Sequence, residues 1–337
     1  MTAKVKPRVG LLLGDPTGIG PELAAKLLAG FDVRAEADLI IIGDRRIFEM
    51  GRKIAGVSCS VHIVHRIEEI ERGGQEIALL DFPGLSPQEF TVGQLSAKAG
   101  KSVLDVLTFA LHLAQDGQID AIVFAPFNKQ AMRMGGSPFP DELHFMADRL
   151  GWKQHCSEIN VLDHLWTSRV TSHVGLSRVS GLITKEAVYK AILLIDGALR
   201  LAGVQAPRLA VAALNPHGGE GGLFGREEID YIVPAIDQAR TNGIQAAGPF
   251  PADTIFLRAK AGLCDAIVSM YHDQGQIAMK LMGFERGVTV QGGLPIPITT
   301  PAHGTAFDIV GQGKANPQGL WQAFKIAARM AANTRQV

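Results

Sequence analysis

The chain is poor in cysteine. Three occur in 337 residues, Cys59, Cys156 and Cys264, an odd number with no C-x-x-C spacing, each beside apolar or small neighbours. That argues against a disulfide framework and a thiolate metal site, and the three are read as ordinary reduced thiols. Charge of one sign is not in excess, with 33 Lys and Arg against 33 Asp and Glu. No chain-wide field therefore draws in nucleic acid or an anionic membrane, and neither partner is expected. Apolar runs such as "LIII" (39–42) fall far short of a membrane span, and "MTAKVKPRVG" holds no apolar signal core, so a cytoplasmic location is expected. Repeats and low-complexity tracts are also missing.

What is present is a 47% hydrophobic chain, long enough to bury a large core and to favour two domains over one. Short Val, Ile and Leu runs alternate with longer helix-like segments, the pattern of a parallel sheet covered by helices. Candidate strands are "RVGLLL" (8–13), "ADLIIIG" (37–43), "DAIVFA" (120–125), "RLAVAAL" (208–214) and "CDAIVSMY" (264–271). Candidate helices cover 21–31, 99–117, 184–203, 226–243 and 320–332.

The strand ends share one feature. "LLL" runs into Gly14-Asp15-Pro16, "IVFA" into Pro126-Phe127-Asn128-Lys129, "VAAL" into Asn215-Pro216-His217, and "IVSM" into Tyr271-His272-Asp273. Ligands of open α/β sheets bind beyond the carboxyl ends of the strands, so these tips should converge on a site. Turns explain the Asn, Asp, Pro and Gly, but not the His and Lys.

Among ten histidines, His62, His65, His112, His155 and His164 read as surface or structural residues. His173 in "TSHVGL", His217 in "LNPHGGEGG" and His272 in "YHDQG" follow or interrupt strand-like runs and have small neighbours. Three imidazoles would leave open positions on a divalent ion, as a catalytic site requires. Their separations match no local zinc pattern, so the sequence alone supports the trio only weakly.

Two glycine-rich loops invite a cofactor. "GDPTGIGPE" (14–22) joins the first strand to the first helix, but Leu23 stands at the third glycine of the dinucleotide fingerprint. "GKS" (100–102) lacks the upstream glycine of a phosphate loop. "PAHGTAFDIVGQGKANP" (301–317) sets His303, Thr305 and Asp308 among glycines. Together the loops suggest a dinucleotide bound without a Rossmann fold.

"GDPTGIGPE", "TSHV", "LNPHGGEGGLFG", "GPFPADTIF", "YHDQGQIAMK" and "HGTAFDIVGQGKANP", in that order, resemble the 4-hydroxythreonine-4-phosphate dehydrogenase (PdxA) family over nearly the whole chain. Two of them also look like the cofactor loops of isopropylmalate and isocitrate dehydrogenases. The resemblance implies two α/β domains flanking a cleft, an isocitrate dehydrogenase-like fold, residues 1–128 plus 300–337 carrying the cofactor loops and residues 129–299 the metal histidines and dimer interface. It implies a homodimer binding NAD through Gly18, Gly20, Glu22, His303, Gly304, Thr305 and Asp308. One divalent ion (Zn, Mg, Co or Mn) would be held by His173, His217 and His272, the last supplied by the neighbouring subunit. Asp253 and Asp273 match acidic positions beside that ion. The implied reaction is oxidation of a β-hydroxy carboxylate by NAD followed by loss of carbon dioxide, the ion serving both steps and Lys129 or an aspartate moving protons.

The chain departs from the family where a substrate phosphate is held. The family's Gly-His-Thr is Asp141-Glu142-Leu143 here; a lysine survives as Lys280, but an asparagine is Thr289 and an arginine is Ile298. A dianionic phosphate needs donors and positive charge, so the expected substrate has no phosphate tail, a carboxylated cis-dihydrodiol such as that of terephthalate. The alternatives are 4-hydroxythreonine 4-phosphate itself or a four-carbon sugar acid phosphate such as threonate or erythronate phosphate, with Arg286 compensating. The rival classes are a metal hydrolase without NAD and a catalytically dead binding protein.

Overall fold

The computed structural model describes residues 6–74 and 76–334. It divides into two compact units. One runs up to Gln154 and resumes at Val288; the other is His155–Gly287. These boundaries differ from the expected 128/129 and 299/300. The reason is that the segments after 128 pack on the long helix of the first unit, while the chain from Val288 pairs into its sheet.

The first unit opens with β1 (Arg8–Leu12), α1 (Gly20–Gly30), α2 (Val33–Glu36), β2 (Asp38–Gly43), α3 (Arg45–Ala55), β3 (His62–Val64), β4 (Ala78–Asp81), α4 (Ala97–Gln115), β5 (Ala121–Phe124), α5 (Lys129–Met134) and α6 (Glu142–Arg149). The second unit supplies β6 (Ser157–Leu162), β7 (Leu165–Arg169), α7 (Val179–Leu182), α8 (Lys185–Leu201), β8 (Arg208–Ala212), α9 (Val233–Thr241), β9 (Gln245–Phe250), α10 (Ala252–Lys260), β10 (Ala266–Ser269) and α11 (His272–Gly283). The chain then returns to the first unit as β11 (Val288–Gly292), β12 (Ile298–Pro301) and α12 (Gln318–Thr334).

Strands of the first unit lie in the order β3-β4-β2-β1-β5-β12-β11, parallel throughout except for the β11–β12 hairpin. Every residue of β1 and β5 is buried, as expected of continuous apolar strands covered on both faces. α4 begins where Ser96 accepts a hydrogen bond from Ala99 N, the side-chain cap that satisfies an unpaired helix-end N–H. α12 sinks Leu320, Phe324, Ala327 and Ala331, the spacing of one helical face.

In the second unit the order is β6-β7-β10-β8-β9, with β6 and β7 an antiparallel pair and the rest parallel. The segment read as one helix over 226–243 is a π-helical turn at Glu228–Ile232 running into α9. Pro234 has no N–H to donate back into that turn, and the ladder widens ahead of it. Past β10, Gln274 accepts from Met270 N at 2.7 Å and donates to Ala213 O at 2.8 Å. One side chain thus ties the carboxyl ends of β10 and β8.

Candidate active site

The tips of β7 and β10 are fastened together. Val170 N donates to Ser269 O, while Thr171 donates to Met270 O from its backbone N at 3.1 Å and from Oγ1 at 2.9 Å. This brings His173 beside His272, their ring centroids 5.5 Å apart. Both line a cavity of about 390 Å³ with Thr171, Leu176, Tyr271 and Asp273. Asp273 Oδ1 lies 2.7 Å from His272 Nδ1; with the proton on Nδ1, the Nε2 lone pair is available to a cation. His173 sits at φ 52°, a left-handed conformation that a side-chain-bearing residue adopts only when its surroundings require it.

His217 is held differently. From His217 to Gly221 five successive residues have φ between 44° and 80°. Left-handed backbone costs about 1–2 kcal/mol per non-glycine residue, so Gly218, Gly219 and Gly221 make the run feasible while His217 and Glu220 bear strain. Buried Glu228 anchors the start of the segment, accepting from Leu214 N and Asn215 N at 2.8 Å each and from Asn215 Nδ2 at 2.9 Å.

Among the described residues, no three His, Cys, Asp or Glu side chains converge on a common point within the chain. The pair assembled in one chain is His173 with His272, and His217 stands outside it. The expectation assigned His272, not His217, to the neighbouring subunit.

The two glycine-rich loops meet in the first unit. Ile19 N donates to Thr305 O at 3.1 Å, and a Cβ on Gly18 would fall 2.7 Å from Thr305 Cβ. A Cβ on Gly20 would fall 2.2 Å from Leu13 O, so both glycines are needed for the loop's own packing. Glu22 is 2% exposed; its Oε1 accepts from Ala315 N and pairs with Lys26 Nζ, each at 2.8 Å. Its Oε1 fixes the second loop, while Oε2 is buried without a hydrogen-bond partner among the described residues. Asp15 accepts from Thr17 N and Oγ1, and burial raises its carboxyl above the usual range despite those bonds. His303 Nδ1 is 3.1 Å from Gly304 O. Burial holds this imidazole below the ordinary histidine range, partly opposed by that bond. Thr305 is buried, while Gly304 and Asp308 are exposed beside it.

The positions expected to meet the substrate are less uniform. Lys129 Nζ is 3.5 Å from Glu142 Oε2, and Glu142 is buried at the first turn of α6. Asp141 caps that helix, accepting from His144 N at 2.9 Å. Burial raises the Asp141 carboxyl, but hydrogen bonds from the His144 backbone and ring outweigh it and leave the pKa lowered. Leu143 is 3% exposed and Ile298 is fully buried, packed in a core cluster with Phe124, Phe127 and Phe145. These two can shape a site but offer it no surface. Thr289 is buried on β11, and Lys280 and Asp253 are exposed on α11 and α10. Arg286 is paired with Asp163 at 3.0 Å, both side chains being about half exposed.

Glu228 and the cavity residue Thr171 were not anticipated, whereas Tyr271 was among the strand-end residues expected at a site. Thr171 lies two residues before His173, and Tyr271 directly precedes His272. Nothing local marks Glu228, whose partners lie 13 and 14 positions earlier.

The sequence profile of the family described as "Pyridoxal phosphate biosynthetic protein PdxA" matches residues 35–327. The chain belongs to the PdxA family. It is 52% identical over 332 residues to a protein of Pseudomonas aeruginosa provisionally named 4-hydroxythreonine-4-phosphate dehydrogenase 2, covering 98% of each chain. It is 39% identical to D-threonate 4-phosphate dehydrogenase of Cupriavidus necator, covering 96% and 97%. The crystal structure of 4-hydroxythreonine-4-phosphate dehydrogenase from Klebsiella pneumoniae matches with TM-score 0.84 at 33% identity, covering 98% and 99%. A terephthalate 1,2-cis-dihydrodiol dehydrogenase from Burkholderia xenovorans matches with TM-score 0.68 at 28% identity, covering 96% and 98%. The fold extends to a β-decarboxylating dehydrogenase of Thermococcus kodakarensis, TM-score 0.50 at 16% identity, 94% and 81% covered. This PdxA-family chain is accordingly an oxidoreductase of the dehydrogenase type.

Proposed function

We propose that this PdxA-family chain is an NAD- and divalent-metal-dependent dehydrogenase that oxidises a β-hydroxy carboxylate, with carbon dioxide leaving from the keto acid. The observation that carries the reading is the His173–His272 pair, its rings 5.5 Å apart in a cavity, with Asp273 on the Nδ1 of His272. Two imidazoles backed by a carboxylate suit a borderline divalent cation, so the donor set fits a metal that one more ligand would complete. When bound, such an ion stabilises negative charge on the substrate oxygen during hydride transfer and during decarboxylation.

His217 is the natural third ligand, supplied by a second copy of the chain. Exposed apolar residues follow each histidine closely in sequence: Leu176 is 72% exposed, Leu223 73% and Ile277 60%. Leu281, one turn beyond Ile277 on α11, is 84% exposed. A partner covering these residues would place the metal ligands at a dimer interface, making the homodimer the complete catalyst. Asp273 is committed to His272, which leaves Lys129 or Asp253 to move the proton.

For the substrate, the names of the relatives support a phosphorylated four-carbon hydroxy acid, either 4-hydroxythreonine 4-phosphate or threonate 4-phosphate. A second reading, a carboxylated cis-dihydrodiol without phosphate, is favoured by the acidic Glu142 beside Lys129 and by the burial of Ile298. The deciding experiment follows NADH production with added divalent metal, setting phosphorylated threonine and threonate substrates beside a carboxylated dihydrodiol. Turnover of the phosphorylated acids alone sustains the first reading; turnover of the dihydrodiol alone sustains the second. Failure to bind NAD(H) in a calorimetric titration with metal present overturns both and leaves a metal hydrolase or a binding protein. For the dimer, Ile277→Asp with Leu281→Asp should give a monomer by sedimentation with reduced bound metal, whereas a metal-replete monomer would refute ligand sharing.

A further inference from the structure

A second cavity lies in the unit His155–Gly287, away from the histidine loops. It measures about 500 Å³. Most of its lining comes from where β8 and β9 begin and from just before β10. His217 and His272 lie past the opposite, carboxyl ends of β8 and β10. The wall combines apolar Leu209, Ile244, Phe250 and Leu263 with the guanidinium groups of Arg208, Arg240 and Arg258.

The three arginines are not equivalent. Arg208 makes a two-pronged ion pair with Asp265, at 2.7 and 3.1 Å, and also donates to Gly262 O. Arg240 donates from Nε to Ala246 O at 2.8 Å and lies 3.3 Å from Asp237. The Arg258 guanidinium lies over the Phe250 ring at 4.0 Å and makes no hydrogen bond or ion pair among the described residues. A guanidinium stacked on a ring keeps its in-plane N–H donors available at the edge. Two carboxylates therefore balance two of the three cations. Buried Cys264 adds no negative charge, because desolvation raises its thiol above the usual range. One uncompensated positive charge remains, in the wall of a largely apolar cavity of ligand size.

We propose that this cavity binds an apolar or aromatic monoanion, a carboxylate or sulfonate, with Arg258 taking the charged end and Leu209, Ile244 and Leu263 the body. The arrangement opposes two other ligand classes. A cation meets Arg258 head on, and a dianion is left with one unpaired charge beside apolar walls.

The probe is 8-anilinonaphthalene-1-sulfonate, followed by fluorescence on the full chain, with uncharged N-phenyl-1-naphthylamine as the control. The sulfonate should bind saturably and more tightly than the neutral probe, unaffected by saturating NADH and divalent metal. Arg258→Ala should weaken sulfonate binding by about tenfold or more, the loss of one charge-assisted contact, and leave the neutral probe unchanged. Arg258→Lys, which keeps the charge but loses the planar fork stacked on Phe250, should bind the sulfonate more weakly than the parent and more tightly than Arg258→Ala. Equal affinity of parent and Arg258→Ala for the sulfonate overturns the proposal. So does displacement by NADH or metal, which would place the probe in the catalytic site, or a parent that binds both probes alike or neither.

Discussion

Glu142 occupies the first turn of α6 within 3.5 Å of Lys129, at a position where the family resemblance expects a phosphate-binding histidine. If this acidic group repels a phosphorylated tail, Glu142→His should raise kcat/KM for phosphorylated acids by about tenfold or more, since one like-charge contact removed at a partly buried site exceeds 1.4 kcal/mol. An unchanged or lower ratio would show that phosphate is met elsewhere. Asp273 offers a separate test on the metal. Its bond to His272 Nδ1 fixes the ring's tautomer, so Asp273→Asn should lower metal affinity by about 10- to 100-fold, measured by competition with a chromogenic chelator. Asp253→Asn, on an exposed position of another helix, should leave that affinity unchanged.

At the scale of elements, the segment from Leu214 to Gly225 depends on Glu228. Glu228→Ala strands the N–H groups of Leu214 and Asn215 and should destabilise the chain by about 2–4 kcal/mol, each orphaned donor costing about 1–2. Glu228→Gln, which retains an acceptor, should cost less in the same urea titration. The segment also shows where sequence reading stops. Strands β1, β2, β5, β8 and β10 and the long helices α1, α4, α8 and α12 were legible because their apolar runs have the right period, and the shorter or less apolar strands between them were not. The same signals are silent on which histidines meet, because that depends on hydrogen bonds between Thr171 and Met270, about a hundred residues apart. They are silent too on the hold of Glu22 on the second loop, through Ala315 N nearly three hundred residues away. The unit boundaries were misplaced for a related reason. Strand β12 lies between β5 and β11, and long-range pairing of this kind leaves no mark in local periodicity.

For the whole molecule, two histidines make stability depend on pH. His155 is held below the ordinary histidine value of 6.5 by burial and then by Lys190, and His303 by burial. Both are harder to protonate folded than unfolded. Below the unfolded value the unfolded chain therefore binds more protons, and stability falls with falling pH. Above it both forms are neutral and this contribution is complete. The thermal midpoint should drop from pH 7.5 to pH 5.5, and the double variant His155→Gln, His303→Gln should flatten that slope; an unaltered slope would assign it to other groups.

The first unit is drawn from both ends of the chain, with β12 lodged between β5 and β11 and α12 laid across β12 and β5. A ribosome making this protein releases β5 long before the strand that must sit beside it. The histidine-bearing unit is contiguous and can finish folding first, while the apolar edge of β5 waits for the last fifty or so residues. The interval between those two events is when a slow codon, a chaperone or a truncating lesion would have its greatest effect on whether the enzyme is completed or aggregates.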